Sequence, residues 1–204
     1  MKDTAFEVGN ALYNSGCLKF GIFRIKSGVS SPYYIDLACL LSSPMDLCTV
    51  ADIAADGIKR IAGSATIDKL ASIELKGALL LASIGSRTGL PCTVVRKEEK
   101  TYGATGKIAG AEIARGEHVL FFDDVVSEGL SKLEGIKPIE QLGAKVEHIM
   151  VVIDREQGGR EKLQKEGYRV HALISISELI QHLSQRKRIS MEQADAVLGY
   201  IKKT

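Results

Sequence analysis

Five runs of apolar and β-branched residues recur along the second two thirds of this chain: LASIE (70–74), CTVVR (92–96), HVLFFD (118–123), VEHIMVVID (146–154) and YRVHALISI (168–176). Each has the length of a strand, and most are separated by segments whose apolar residues repeat with a helical period. A strand that is apolar almost throughout, rather than at alternate positions, must be covered on both faces. Strands of that kind alternating with helices leave one main solution, a mostly parallel sheet flanked by helices, so the fold class is α/β. The 204 residues, of which 45% are hydrophobic and 25% charged, are enough for one domain with a real core.

The flanking segments add detail. Residues 3–16 read as an amphipathic helix capped at Asp3 or Thr4 and stopped at Gly16. Two short extended pieces follow, Phe20 to Ile25 and Tyr33 to Leu37, and Ser43 with Pro44 opens a longer helix that closes at Gly63. The tail beyond residue 178 reads as helical, with a capping box at Ser190 and Gln193. One domain over 1–204 is expected, with 1–42 as N-terminal elements and 178–204 as a helical tail.

Open parallel sheets bind ligands outside the carboxyl ends of their strands. Charged residues stand at those ends here. HVLFF runs into Asp123 and Asp124, then the turn VVSEGLS. Adjacent carboxylates can accept hydrogen bonds from vicinal sugar hydroxyls, directly or through a divalent ion, and successive N–H groups at a helix start can surround a phosphate. A solvated loop between strand and helix fits that motif alone equally well. A second strand end leads into VVRKEEKTYGATGKIAG, a basic, glycine-containing loop suited to a polyanion, and a third into DREQGG, where Arg155 has the planar fork that grips a carboxylate.

The net charge of +2, from 27 basic and 25 acidic residues, gives no global field for nucleic acid or a membrane surface. The basic QRKR turn (185–188) reads as solvated. The cysteines at 17, 39, 48 and 92 show no ligand spacing, and no run reaches membrane-spanning length, so a reducing, cytoplasmic setting is expected.

The blocks FRIKSGVSSPYYIDL, SIELKGALLLASI, the basic loop, the acidic strand end and DREQGG occur together and in order over residues 1 to about 180. In this the chain resembles the orotate phosphoribosyltransferases, enzymes that join orotate to phosphoribosyl pyrophosphate to give orotidine monophosphate and pyrophosphate in pyrimidine synthesis. The resemblance implies a type I phosphoribosyltransferase fold with a small N-terminal hood, and a homodimer in which loop 96–107 completes the neighbouring site. It implies that Lys26, Tyr33 and Tyr34 line the substrate site, with Lys26 reaching orotate or the pyrophosphate and an aromatic ring flanking the base, and that Lys76 meets pyrophosphate. Asp123 and Asp124 would hold the ribose, with Ser127, Glu128, Gly129, Leu130 and Ser131 forming the 5′-phosphate turn. Arg155 would bind the orotate carboxylate, while Arg96, Lys97 and Lys100 would act on the leaving group. Mg²⁺ would travel with phosphoribosyl pyrophosphate, by way of Asp123 and Asp124 rather than on ligands dedicated to it.

Three positions depart from the family pattern. Tyr102 stands where a His is usual, and Glu128 and Leu130 stand in a turn normally built from Thr, Ser, Ala and Gly. Gly135 and Pro138 are expected to interrupt the helix after that turn. On these departures rests an alternative function, a binding protein for orotate or a nucleotide that has lost the chemistry.

Overall fold

The computed structural model describes residues 4–24, 28–100 and 106–202, with Lys100 described in its main chain only. Six strands form one sheet: β3 (Lys69–Ile73), β4 (Cys92–Lys100), β5 (Gly106–Gly110), β6 (Val119–Val126), β7 (His148–Asp154) and β8 (Arg169–Ser175). Their order is β5-β4-β3-β6-β7-β8, parallel throughout except for β5, which pairs antiparallel with β4 at the edge. The fold is α/β, as the continuous apolar runs required.

Side chains of a strand alternate between faces, so each central strand feeds two cores. Leu70, Leu120, Phe122, Met150 and Val152 point to one, which they share with α1 (Thr4–Asn14), α2 (Pro44–Ala62) and α3 (Lys76–Thr88). Ala71, Phe121, Ile149 and Val151 point to the other, beneath α4 (Leu130–Gln141) and α5 (Gly159–Lys165). All seven residues of β7 are buried.

The N-terminal hood is a two-stranded hairpin, β1 (Leu18–Arg24) against β2 (Ser30–Ile35), followed by a 3₁₀ turn over Leu37–Ser42 that Asp36 caps. Leu37, expected as extended, belongs to that turn because the Asp36 carboxylate accepts the Ala38 N–H. The tail helices α6 (Ile176–Gln185) and α7 (Met191–Ile201) each begin with a capping box, at Ser175/Glu178 and Ser190/Gln193. They belong to the main core, through Leu179, Ile180, Leu183 and Val197, and the Tyr200 ring meets Tyr33 of β2 edge-on at 6.1 Å.

Two expectations are corrected. The basic segment 94–110 is mainly a hairpin: β4 continues to Lys100 and β5 returns from Gly106, because Val95 and Ile108 pair across the edge. Its tip, residues 101–105, lies outside the described residues. Second, α4 runs unbroken through Gly135 and Pro138. Pro138 falls near the end of the 12-residue helix, where its missing N–H removes one ladder bond, while buried Ile136 and Ile139 hold the segment on either side.

Gly135 is a packing requirement: a Cβ there would lie 2.5 Å from Cζ of Phe121 and 3.1 Å from Cβ of Ile73. Helix propensity alone favours Ala over Gly by about 1 kcal/mol, whereas overpacking costs about 1–3 kcal/mol. Gly135→Ala is therefore expected to lower the urea midpoint with no change in the denaturant slope. A raised midpoint would show that the helix, not its contact with Phe121, decides this position.

Candidate active site

The site forms where the carboxyl ends of β3, β4, β6 and β7 meet the hood. Neighbouring strands are in a register that pairs Asp123 with Val151 and Val126 with Asp154, so Asp123 of β6 stands three residues short of the level of Asp154 on β7. The Arg155 N–H donates to the Val126 carbonyl (2.9 Å) and the Gly159 N–H to that of Ser127 (2.8 Å), locking the DREQGG loop against the turn after β6. A Cβ on Gly159 would lie 2.2 Å from the Ser127 oxygen. The glycine is there to let two backbones touch.

The turn has a definite conformation around Glu128 and Leu130. Gly129 takes the left-handed conformation (φ 82°) and is the N-cap of α4; Leu130 is the first helical residue. The position that needs glycine has one. Both Glu128 and Leu130 are exposed. Ser127 is half-buried and Ser131 lies at the surface. A left-handed residue followed by the first turn of a helix points consecutive N–H groups outward, as an anion requires.

Asp123 is buried, 4% exposed, and its Oδ1 accepts the Asp124 N–H at 2.9 Å. Its Oδ2 lies 2.7 Å from Nζ of Lys132, a residue no motif singled out. One signal was available: Lys132, Gly135, Ile136 and Ile139 share the buried stripe of α4, so the lysine occupies a core-facing position of the helical period. Gly77 was missed as well. Its Cβ would fall 2.5 Å from Asp123 Oδ1, so only glycine lets the start of α3, with Lys76, approach the acidic pair. Burial, then the charge of Asp123, pushes the Asp124 carboxyl up to about 7, with Lys132 pulling it back.

Lys76 forms an ion pair with Asp36 at 2.9 Å and stands over the ring of Tyr34 at 5.6 Å. Burial alone would lower the Lys76 pKa and raise that of Asp36; their mutual hydrogen bond and charge outweigh it and shift both the other way. Across the site the Arg155 guanidinium lies 4.9 Å over the Tyr33 ring, and its Nε donates to the Tyr33 hydroxyl at 3.1 Å. Its Nη2 is buried without a hydrogen-bond partner among the described residues. The loop is held from behind by Glu156, left-handed at φ 54°, whose carboxylate accepts both N–H and hydroxyl of Ser177.

Structure thus brings together Tyr33, Tyr34, Lys76, Asp123, Asp124, the 127–131 turn and Arg155. On the basic hairpin, Arg96 Nη1 donates to the Gly106 carbonyl (2.8 Å), and the Lys97 N–H to the Glu74 carboxylate (2.6 Å). Lys26, Tyr102 and the Lys100 side chain lie outside the described residues. Among the described residues no three His, Cys, Asp or Glu side chains are placed to hold a metal ion.

A parallel sheet with an acidic strand end, an anion turn and a hood defines the class: this is a type I phosphoribosyltransferase fold. Orotate phosphoribosyltransferase from Aeropyrum pernix superposes with a TM-score of 0.75 at 24% identity, covering 87% of this chain and 98% of that one. The UMP synthase of Leishmania donovani superposes at 0.86 with 29% identity, covering 98% of this chain and 42% of its own length. The orotate phosphoribosyltransferase of Pyrococcus horikoshii is 36% identical over 179 residues, 88% of this chain and 93% of that protein. The chain belongs to the orotate phosphoribosyltransferase family. No protein-family model matches it. No helix among the described residues is long and apolar enough to cross a membrane.

The raised pKa of Asp124 has a measurable sign. Between the unfolded value of about 3.9 and the folded value of about 7 the folded state binds more protons, so this group's contribution to stability falls as pH rises through that window. Asp124→Asn removes the effect. Urea unfolding at pH 5 and pH 8 should show the variant gaining on the parent at the higher pH; a gap that does not change would mean Asp124 is ionised throughout.

Proposed function

We propose that the protein transfers the phosphoribosyl group of phosphoribosyl pyrophosphate to orotate, releasing orotidine 5′-monophosphate and pyrophosphate, as the enzymes it resembles do by name. The observation that carries this down to residues is the buried Nη2 of Arg155, without a hydrogen-bond partner among the described residues, on a guanidinium held by Tyr33. An unpaired buried donor on a fixed cation calls for an anionic acceptor. The orotate carboxylate supplies one.

In this reading the 5′-phosphate lies on the backbone N–H groups that open α4, and the ribose hydroxyls are held by the acidic end of β6. Lys76 and the cations of the β4–β5 hairpin face the pyrophosphate. The transition state parts an electron-poor ribosyl carbon from a departing pyrophosphate, so fixed cations at the leaving group and exclusion of water lower the barrier. No covalent nucleophile takes part. Mg²⁺ enters as a component of the pyrophosphate substrate, its charge adding to that of the lysines. A homodimer in which the hairpin of one subunit serves the other fits a basic hairpin at the sheet edge, and a cytoplasmic setting fits substrates of this kind.

The binding-only alternative rested on Glu128, Leu130 and Tyr102. At the turn its basis is weak, since Glu128 is exposed and Gly129 supplies the left-handed residue. Repulsion between an exposed carboxylate and a phosphate is screened by solvent and salt. Glu128→Thr with Leu130→Gly is accordingly expected to lower the KM for phosphoribosyl pyrophosphate by less than about fivefold, or ~1 kcal/mol. A gain of orders of magnitude would mean the turn is impaired.

The deciding assay incubates protein with orotate, phosphoribosyl pyrophosphate and Mg²⁺ and follows the loss of orotate absorbance, with the product identified by chromatography. Steady turnover is expected, abolished by Asp123→Asn/Asp124→Asn. Arg155→Ala should raise the KM for orotate by about a hundredfold or more, the cost of stranding one partner of a buried charge pair. Turnover with unchanged orotate KM in Arg155→Ala would remove Arg155 from the base site.

A further inference from the structure

Lys132 is the one lysine or arginine among the described residues that is wholly withdrawn from solvent, at 4% exposure. Its ammonium group has three protons and three acceptors: Asp123 Oδ2 at 2.7 Å, the Val125 carbonyl, and Ser131 Oγ at 3.2 Å. Those acceptors lie on the end of β6 and on the last residue of the phosphate turn. Asp123 is committed in return, one oxygen to Lys132 and the other to the Asp124 N–H.

A buried ion pair is weak evidence for stability, because a well-packed apolar pair serves as well or better. What this pair does supply is geometry. The lysine joins strand end to turn from beneath, and it occupies one of the two adjacent carboxylates at the end of β6.

We propose that Lys132 is a positioning residue of the phosphoribosyl site, withdrawing Asp123 from the substrate so that Asp124 alone is offered to the ribose hydroxyls, and tying the 127–131 turn to β6. Asp123 then acts through Lys132 and through the Asp124 main chain. This deepens the phosphoribosyl-transfer reading and rests on it.

The test compares wild type, Lys132→Met and Asp123→Asn/Lys132→Met in steady state against both substrates, with folding checked by circular dichroism. Lys132→Met should raise the KM for phosphoribosyl pyrophosphate by about tenfold or more while the orotate KM stays within about twofold, a split that general loosening of the fold would not give. The double variant should be no worse than Lys132→Met, since both changes dismantle one unit. An unchanged pyrophosphate-substrate KM in Lys132→Met overturns the proposal, as does a further loss of about tenfold in the double variant, which would mean that Asp123 itself holds the ribose. If Lys132→Met does not fold, the double variant, which leaves no unpaired buried charge, replaces it: a raised KM for the ribosyl donor alone supports the proposal, and wild-type values for both substrates overturn it. Wild-type protein that neither turns over nor binds phosphoribosyl pyrophosphate by calorimetry overturns the transfer reading, and this inference with it.

Discussion

Burial of β6 and β7 on both faces is the constraint from which the rest follows. Every residue of β7 and the first five of β6 are out of solvent, so neither strand can carry exposed charge along its length. Their carboxylates are confined to the carboxyl ends, and the register decides where those ends fall. With Val126 opposite Asp154, the end of β7 lies beside the turn that leaves β6, and two main-chain hydrogen bonds fasten the loops together. An anion turn and an arginine fork are thereby placed side by side by sheet geometry, before any side-chain preference acts.

This explains which parts could be read from the residues. The central strands, the Ser43–Pro44 helix start and the Ser190 capping box depend on neighbours in the chain, and their patterns are local. The hood contact between Arg155 and Tyr33 joins residues 122 positions apart, and nothing local marks it. The β4–β5 hairpin was obscured by its charges: an edge strand needs only one apolar face, and RKEEK reads as a loop until Val95 and Ile108 are seen to pair. Gly135 reads as a breaker because a glycine demanded by close packing is indistinguishable in sequence from one demanded by a turn.

The departures in the phosphate turn show the same limit. A motif compares side chains, whereas this turn presents backbone. What it requires is one left-handed residue and a helix start, and Gly129 and α4 meet both. Glu128 and Leu130 alter the surface around the cradle. The side chain that reaches inside is that of Lys132, which a motif-based reading of the turn passes over because it stands one residue beyond Ser131.

Two lysines of the site therefore differ in kind. Lys76 and Asp36 are each partly exposed, at 36% and 27% of their side-chain surface, and a pair so placed is worth about 0–1 kcal/mol. Under the proposed transfer, exchanging Asp36 for the oxygens of a pyrophosphate would cost Lys76 little and gain a partner of greater charge. The Lys132–Asp123 pair is 5% and 6% exposed, and parting it would strand two charges in a medium that cannot solvate them. One pair is suited to open when substrate arrives, and the other to remain closed throughout. Depth of burial, more than residue type, separates the lysine that can bind the leaving group from the lysine that can hold the site in shape.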